Sequence, residues 1–255
     1  LRGVASTSWG VGNGGSALFT ARNSSNQVQP ITVKPALSIP TSNPNGGVMV
    51  LFGTGQYLTS TDPANTQVQT FYGIWDNNTT GTVARSSLQQ QTINAQTNEF
   101  GYELRETSAT SVNWTTQRGW YMDLPLPGER LLKPMGFYDG SNILAIYSQI
   151  PAGSPRRPGE SASPPDACNA SEERQFLTFM NIMDGKRPGV PLMDSNGDGV
   201  YGTADEEVSR ASVARGSQAL LHKGHHAIGY DAEGRRNVLA RMPEQSLRPS
   251  WRQMK

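Results

Sequence analysis

Short apolar or alternating runs, separated by Gly, Pro and Asn, are the feature that most limits what this sequence can fold into. Such runs have the period of side chains on a half-buried sheet and are too short for helices of ordinary length. They predict strands at residues 17–20, 31–37, 48–53, 70–75, 101–105, 119–124, 143–148, 176–182, 227–230 and 237–241. The best candidate for a helix is one short stretch, residues 85–91. Many short strands with turn signals between them predict an all-β fold.

Charge is sparse in this chain, since charged residues make up 17% of its 255 residues and the formal net charge is +1. This small charge argues against a nucleic acid or a membrane surface as the main partner. Thr, Ser, Asn, Gln and Gly dominate the first hundred residues. That texture is more typical of exported β-rich proteins than of cytoplasmic helical enzymes.

Neither a basic region nor an apolar run of the signal-peptide type follows Leu1. The best apolar run, residues 48–52, is far too short to cross a bilayer, so we expect no membrane-spanning segment. We expect export to be encoded upstream and the sequence to be a fragment of a longer protein. The one cysteine, Cys168, cannot form an internal disulfide; it could be free, paired between chains, or separated from a partner in a missing region.

Residues 151–169 are rich in Pro, Ser and Gly and carry the pair Arg156 and Arg157. Strand candidates resume directly after this stretch, which predicts a long exposed loop rather than a linker between domains. We therefore expect residues 1–255 to form a single domain.

The stretch DSNGDGVYGTAD at residues 194–205 spaces oxygen ligands in the manner of an EF-hand loop. Its glycine at the sixth position, Gly199, would take the sharp turn that such a loop needs. The candidate ligands are Asp194, Asn196, Asp198, the carbonyl of Val200, and Asp205. A hard cation such as Ca²⁺ binds about six to eight oxygens of this kind. The spacing predicts a Ca²⁺ site, with a solvated Asp/Gly turn as the alternative.

All the candidate ligands come from one loop. An ion held in this way normally orders the loop and leaves no position for a substrate, so we expect a structural rather than a catalytic role. The last ligand position carries Asp instead of the usual Glu, and the ninth position is Gly202, which suggests a water ligand there.

Two other motifs have simpler explanations. GVGNGG at residues 10–15 has the spacing of a dinucleotide-binding fingerprint, but no convincing strand precedes it and no helix follows it. His222, His225 and His226 could ligate a transition metal, yet no Cys or carboxylate stands at a supporting spacing. A surface cluster is the better interpretation of these histidines.

The sequence also contains carboxylates that are candidates for glycoside hydrolysis and aromatic residues that are candidates for ligand binding. The carboxylates are Asp123, Glu129 and Asp139, and the aromatic residues are Trp75, Trp120 and Tyr121. Nothing in the sequence singles out the carboxylates as a catalytic pair. The aromatic residues lie in predicted strands, and we expect them to pack in the core rather than to line a binding surface.

Four ordered stretches resemble one protein family. They are SALFTARNSSNQVQPIT at residues 16–32, NGGVMVLFGTGQYL at 45–58, QTFYGIWDN at 69–77 and RGWYMDLPLPGER at 118–130. Together they are similar to the C-terminal β-propeller domain of the PilY/PilC-type type IV pilus tip-associated adhesins. The resemblance implies an all-β fold that is the C-terminal portion of a modified β-propeller, with long inserted loops and a calcium-binding loop.

The same resemblance implies a function. It points to a non-catalytic type IV pilus biogenesis factor and tip-associated adhesin, whose propeller supports pilus extension and surface adhesion. Minor pilins and the pilus machinery are the implied partners, and a missing N-terminal region would contact a host cell or an abiotic surface. The implied location is outside the cell, at the cell surface, the pilus tip or the outer membrane.

The family's better-known calcium loop lies upstream of this sequence, so its regulatory role does not transfer to residues 194–205. Two alternatives stay open at this point. One is a secreted propeller enzyme of the quinoprotein or glycan-active kind, which would need a central pocket with convergent acids or a bound quinone. The other is a calcium-dependent carbohydrate-binding module.

Overall fold

A computed structural model describes residues 13–39, 46–99, 102–138, 141–155, 173–196, 198, 200–213, 220–223, 226–230 and 236–241. Its regular elements are strands and short 3-10 turns, and no α-helix occurs in these ranges. The strands are β1 (Ala36–Ser38), β2 (Val48–Gly53), β3 (Thr70–Asp76), β4 (Gln89–Gln91), β5 (Ile93–Glu99), β6 (Tyr102–Thr107), β7 (Gly119–Asp123), β8 (Gly136–Phe137), β9 (Ile143–Ile150), β10 (Arg174–Asn181), β11 (Val208–Val213), β12 (Leu220–Lys223), β13 (His226–Tyr230) and β14 (Arg236–Arg241). The predicted all-β fold is confirmed, and the described residues include no helix with the length and apolar character to cross a membrane.

The strands form three sheets. A five-stranded sheet has the order β1-β2-β3-β7-β4, a six-stranded sheet has the order β5-β6-β11-β10-β9-β8, and β12, β13 and β14 form a third. Every pair is antiparallel except β4 and β7, which run parallel. Antiparallel neighbours are what a sequence of short strands separated by turn residues predicts.

The main hydrophobic core joins the five-stranded and six-stranded sheets. Its members alternate along the strands, as side chains on one face of a sheet must. From the five-stranded sheet they include Met49, Leu51, Phe71, Trp75, Trp120 and Met122, and from the six-stranded sheet Leu144, Ile146 and Met180. The two predicted core tryptophans, Trp75 and Trp120, are therefore buried as expected, whereas Tyr121 on the opposite face of β7 is half-buried.

Trp120 fills the space between two glycines, and its surroundings show why side chains are excluded there. A Cβ atom at Gly73 would lie 2.4 Å from the Trp120 ring, and a Cβ atom at Gly185 would also lie 2.4 Å from it. Gly185 has a φ of +66°, which favours glycine independently. The indole Nε1 donates to the Ile182 carbonyl at 3.0 Å, so the buried polar atom is satisfied.

The predicted helix at residues 85–91 is wrong. A 3-10 turn, Arg85–Ser87, is followed by strand β4, Gln89–Gln91, which pairs with β7. The Gln91 amide donates to the carbonyls of Thr110 and Asp184 at 2.6 and 2.7 Å. Pairing with a buried strand and these hydrogen bonds outweigh the local helix propensity of Leu and Gln.

Two predicted strands at the start of the chain shrink. Residues 17–20 contribute only an isolated bridge between Phe19 and Val83. In residues 31–37 a bridge joins Ile31 to Gly55, and regular pairing begins only at Ala36, after Pro35. A proline cannot donate to a ladder, which explains the late start of β1.

The predicted exposed loop, residues 151–169, is described only in part. The start of the predicted exposed loop, residues 151–155, carries no strand, and Ser154 within it is buried. The rest of that loop with Cys168 lies outside the described residues, as do Asp139, His225 and the first part of the GVGNGG motif.

Candidate functional site

The predicted calcium loop connects β10 to β11 in the six-stranded sheet. Just before it, Leu192 and Met193 are both 1% exposed and pack with Leu104, Phe179 and other residues of that sheet's second core. Behind the loop, β11 begins at Val208. The loop is therefore anchored to the sheet at both ends, while Gly197 and Gly199 lie outside the described residues.

Asp205 is the buried residue of the loop, with 1% of its surface exposed. Its Oδ1 atom accepts hydrogen bonds from the Ser195 backbone N–H at 2.7 Å and the Ser195 hydroxyl at 2.6 Å. Its Oδ2 atom accepts one from the Gly202 N–H at 2.8 Å. Burial raises the pKa of Asp205, but the bonds from Ser195 and Gly202 outweigh it and hold that pKa below its usual value. The carboxylate therefore closes the loop by joining its two ends.

Asn196 and Asp198 are exposed and turn the chain between those ends. The Asn196 Oδ1 atom accepts the Asp198 N–H at 3.1 Å, and the Asp198 Oδ1 atom accepts the Val200 N–H at 2.7 Å. The Asn196 amide also donates to the Asp198 Oδ2 atom at 3.0 Å. These side chains thus bond to the backbone two residues ahead, as Asn and Asp commonly do in tight turns.

The donor chemistry of this loop fits calcium, but its carboxylates do not converge. Every predicted ligand offers oxygen, and the Oδ2 atom of Asp205 accepts one hydrogen bond where a carboxylate oxygen has room for two. No group of three or more Asp, Glu, His or Cys side chains suited to a metal forms among the described residues, which include Asp194, Asp198 and Asp205. The calcium site stays a prediction.

Below the loop, Arg210 of β11 forms a buried ion pair that the sequence analysis missed. Its Nη2 atom lies 2.8 Å from the Glu129 Oε1 atom, and both side chains are 0% exposed. The Nη1 atom donates to the Thr178 hydroxyl at 3.1 Å, and the guanidinium lies 4.2 Å from the centre of the Phe176 ring. Glu129 Oε1 also accepts the Ser148 hydroxyl at 2.5 Å.

This ion pair ties three strands to a turn. Arg210 lies on β11, Thr178 on β10 and Ser148 on β9, while Glu129 belongs to the turn after β7. The sequence feature that indicates this pair is the PGER end of the fourth family-like stretch, in which Glu129 follows a glycine turn. Its partner could not be identified, because Arg210 lies 81 residues further along the chain.

Asp123 and Glu129, two of the carboxylates considered for hydrolysis, each pair with an arginine. Asp123 is 2.7 Å from the Arg85 Nη2 atom in the five-stranded sheet, and Glu129 pairs with Arg210 at the six-stranded sheet. Each carboxylate is therefore neutralised by its own cation. The structure does not bring these two acids together as a catalytic pair.

Comparison with known proteins identifies relatives. Residues 2–109 match the family model described as the PilY1 beta-propeller domain. The type IV pilus biogenesis factor PilY1 of Pseudomonas aeruginosa is 36% identical over 153 residues, which cover 51% of this chain and 13% of that protein. A PilY1 homolog of Xylella fastidiosa is 34% identical over 192 residues, covering 73% of this chain and 14% of that protein.

A solved structure matches almost the whole chain. The crystal structure of the Pseudomonas aeruginosa PilY1 C-terminal domain aligns with a TM-score of 0.68 and 25% identity, over 91% of this chain and 49% of that chain. The chain thus spans about half of that solved chain and only a small share of the curated relatives. The resemblance found in the sequence is confirmed by the match to the PilY1 beta-propeller family model, by the PilY1 relatives and by the structural match to the PilY1 C-terminal domain.

Proposed function

We propose that this chain acts in type IV pilus biogenesis, as part of a PilY1-like propeller that offers a rigid, non-catalytic binding surface. The observation that carries the proposal is the similarity to the PilY1 C-terminal domain over 91% of the chain, joined to curated relatives that are named type IV pilus biogenesis factors. Minor pilins or other components of the pilus machinery are the proposed partners.

Two features of the described residues support a binding surface over a catalytic one. The five-stranded and six-stranded sheets share one continuous core, which gives the surface a fixed shape. Asp123 and Glu129 are both held by arginines, so neither is poised as an acid or base.

The location and the adhesive role belong to the same proposal. An exported protein at the cell surface, the pilus tip or the outer membrane fits a composition low in charge and rich in Thr, Ser, Asn and Gly. Adhesion to a host cell or an abiotic surface would use a region of the full-length protein that precedes this chain.

Calcium is the proposed ligand of residues 194–205. The ion would be held by Asp194, Asn196, Asp198, the Val200 carbonyl and Asp205, and it would neutralise the three carboxylates that it brings together. Asp205 already closes the loop, and β11 with its buried Arg210 begins three residues later. Ordering of the loop would therefore fix the position of an internal strand of the six-stranded sheet.

The genetic test uses the full-length protein in its own bacterium. We expect an in-frame deletion of the coding sequence to abolish or strongly reduce surface pili, counted by electron microscopy, and twitching motility, and we expect the wild-type copy to restore both. Re-expression of the protein without residues 1–255 should fail to restore them. Normal piliation in that truncated strain would contradict the proposed function.

The calcium test uses the purified chain after treatment with a chelator. A Ca²⁺ titration by calorimetry should give saturable binding at one site, and a concentration of about 100 times the dissociation constant should stabilise the fold by about 2.7 kcal/mol. Asp198→Asn should weaken the binding. Asp76→Asn is the matched control, because Asp76 also accepts a backbone N–H two residues ahead but lies outside the loop.

The control decides the interpretation of the calcium titration. Equal loss of binding in Asp198→Asn and Asp76→Asn would place the ion elsewhere, and no heat in the wild type would reduce the loop to a solvated turn. Neither result would bear on the proposed pilus function, which the genetic test examines separately.

A further inference from the structure

A cleft of about 700 Å³ opens at the end of the five-stranded sheet, and no residue of the calcium loop lines it. Its size is in the usual range for sites that bind small molecules or short oligomers. Trp75 and Trp114 form its aromatic part, with ring centres 5.4 Å apart and an interplanar angle of 85°. Trp75 is almost fully buried, whereas Trp114 is half-buried and leaves part of its ring accessible in the cleft.

Two tight turns form the walls of this cleft. In one, Asn113 accepts the Gln117 N–H on its carbonyl at 2.7 Å, and the Gln117 side chain accepts the Asn113 N–H at 2.7 Å. In the other, Asn77 accepts the Thr79 N–H at 3.2 Å and the Thr79 hydroxyl at 2.6 Å. Turns closed by their own hydrogen bonds hold a fixed shape. The protein would therefore lose little conformational entropy when a ligand binds.

Arg118 supplies the charge in the cleft. Its Nε and Nη2 atoms donate to the Trp75 carbonyl at 3.3 and 3.2 Å, and its Nη1 atom donates to the Thr79 hydroxyl at 3.4 Å. All three bonds are long, and their acceptors are neutral. They leave two of the five guanidinium N–H groups without a partner among the described residues. Within the described residues no carboxylate forms a salt bridge with Arg118.

The acid adjacent to the cleft residue Trp75 forms no salt bridge with Arg118. Asp76 follows Trp75 directly on β3, so its side chain leaves the strand on the opposite face. Its Oδ1 atom accepts the Asn78 N–H at 3.0 Å. The cleft therefore combines a partly accessible indole, hydroxyl and amide groups on both walls, and an arginine with unused donors.

We propose that this cleft binds an oligosaccharide that carries a carboxylate. The apolar face of a sugar ring would pack against Trp114, and the sugar hydroxyls would bond to the Thr, Asn and Gln side chains of the walls. The carboxylate would accept the two unused N–H groups of Arg118, because a guanidinium matches a carboxylate in geometry and charge. This inference goes beyond pilus biogenesis and uses no residue of the calcium loop.

The first experiment measures binding of defined sugars to the purified chain by saturation-transfer NMR and calorimetry. The probes are α2,3-sialyllactose and trigalacturonic acid, which carry carboxylates on different sugars, and lactose is the neutral counterpart of the first. We expect saturable binding of at least one acidic sugar and at least about tenfold weaker binding of lactose. Saturation by sialyllactose alone or by trigalacturonic acid alone would identify the acidic sugar.

Variants place the binding in the cleft. Arg118→Gln removes the charged contact and also the long bonds from the guanidinium to Trp75 and Thr79. We expect it to weaken the binding of acidic sugars by about tenfold or more and to leave the binding of lactose unchanged, because lactose offers no carboxylate to this charge. Trp114→Ala should weaken the binding of all the sugars, but it also removes a contact with buried Trp75. Thr115→Trp avoids that difficulty, since Thr115 is exposed and a large side chain there would fill the cleft without touching the core.

Arg187→Gln is the matched control for Arg118→Gln. Arg187 is a half-exposed arginine on a different part of the chain, where it pairs with Glu207. We expect this control to bind as the wild type does, and thermal melts should show that each variant is folded. The proposal is overturned if no acidic sugar saturates, if lactose binds as tightly as sialyllactose, or if folded Arg118→Gln and Thr115→Trp variants bind acidic sugars normally.

Discussion

Arg85 and Arg210 each pair with one carboxylate, but the two pairs sit in different surroundings. Arg85 holds Asp123 with two bonds, 2.8 Å to Oδ1 and 2.7 Å to Oδ2, and the two side chains are 17% and 25% exposed. Its guanidinium lies 3.8 Å from the centre of the Tyr121 ring. Its Nη1 atom donates to the Tyr72 hydroxyl at 2.7 Å. Both oxygens of Asp123 are bonded to this arginine.

Arg210 and Glu129 are completely enclosed, and their bonding is incomplete. One bond joins them, between Nη2 and Oε1, while Arg210 Nε and Glu129 Oε2 have no hydrogen-bond partner among the described residues. Burial lowers the pKa of Arg210, and Glu129 opposes this only in part. For Arg85, burial also lowers the pKa, but the bond to Asp123 together with the electrostatic attraction of Tyr72, Asp123 and Tyr121 outweighs it, and the pKa is raised. Loss of the partner should therefore destabilise the fold less when water can solvate the remaining charge than when that charge stays buried.

The largest effect is therefore expected from breaking the enclosed pair. Glu129→Gln should lower the free energy of unfolding by about 3–5 kcal/mol, because it leaves the Arg210 charge buried without compensation. Chemical denaturation followed by tryptophan fluorescence measures this loss.

The double variant Glu129→Gln, Arg210→Met is the control for that prediction. Removal of both charges should recover a large part of the lost stability, since an apolar side chain can replace a buried ion pair at little cost. If the double variant were less stable than Glu129→Gln, the buried charge would not be the cause of the loss.

Breaking the partly exposed pair should cost less. Arg85→Gln should lower the free energy of unfolding by about 1–2 kcal/mol, because Asp123 keeps its bond from the Thr70 hydroxyl at 2.6 Å and gains access to water. The same denaturation experiment measures it. A loss as large as that of Glu129→Gln would show that exposure does not distinguish the two pairs.

Asp62 gives a comparison that depends on pH, because neutral donors rather than an arginine hold its carboxylate. The Gln56 amide, then the N–H groups of Leu58 and Thr59, lower the pKa of Asp62 to about 2. The folded state therefore favours the ionised form, and this stabilisation is present above the unfolded pKa of about 3.9. It is lost as the pH falls through about 2.

The measurement for Asp62 is the denaturation midpoint between pH 5 and pH 2 for the wild type and Asp62→Asn. We expect the difference between the two proteins to shrink as the pH falls through this window, since the protonated wild type loses the advantage of its carboxylate. A difference that stays constant with pH would mean that the carboxylate charge does not stabilise the folded state.

Local patterns predicted the strands that lie in the main core, and long-range contacts decided the rest. Residues 48–53 form β2 with the predicted bounds because apolar side chains fill it, and β3 and β7 differ from prediction by one residue at an end. The polar strands β4 (QQQ) and β5 (INAQTNE) carry no apolar alternation, so only their pairing partners make them strands. The same holds for the sites. Spacing indicates which oxygens could bind calcium, but Glu129 and Arg210 meet through tertiary structure alone.

The smallest effect should come from Arg187 and Glu207, a third pair that completes the comparison. Their side chains are 27% and 55% exposed, and one contact of 3.0 Å joins them. Water solvates both charges when the pair is broken, so Arg187→Gln should change the free energy of unfolding by less than about 0.5 kcal/mol. Denaturation at low and high salt tests this, because a screened surface pair should also show little salt dependence. A loss above that of Arg85→Gln would mean that bond geometry, and not access of water, sets the strength of the three pairs.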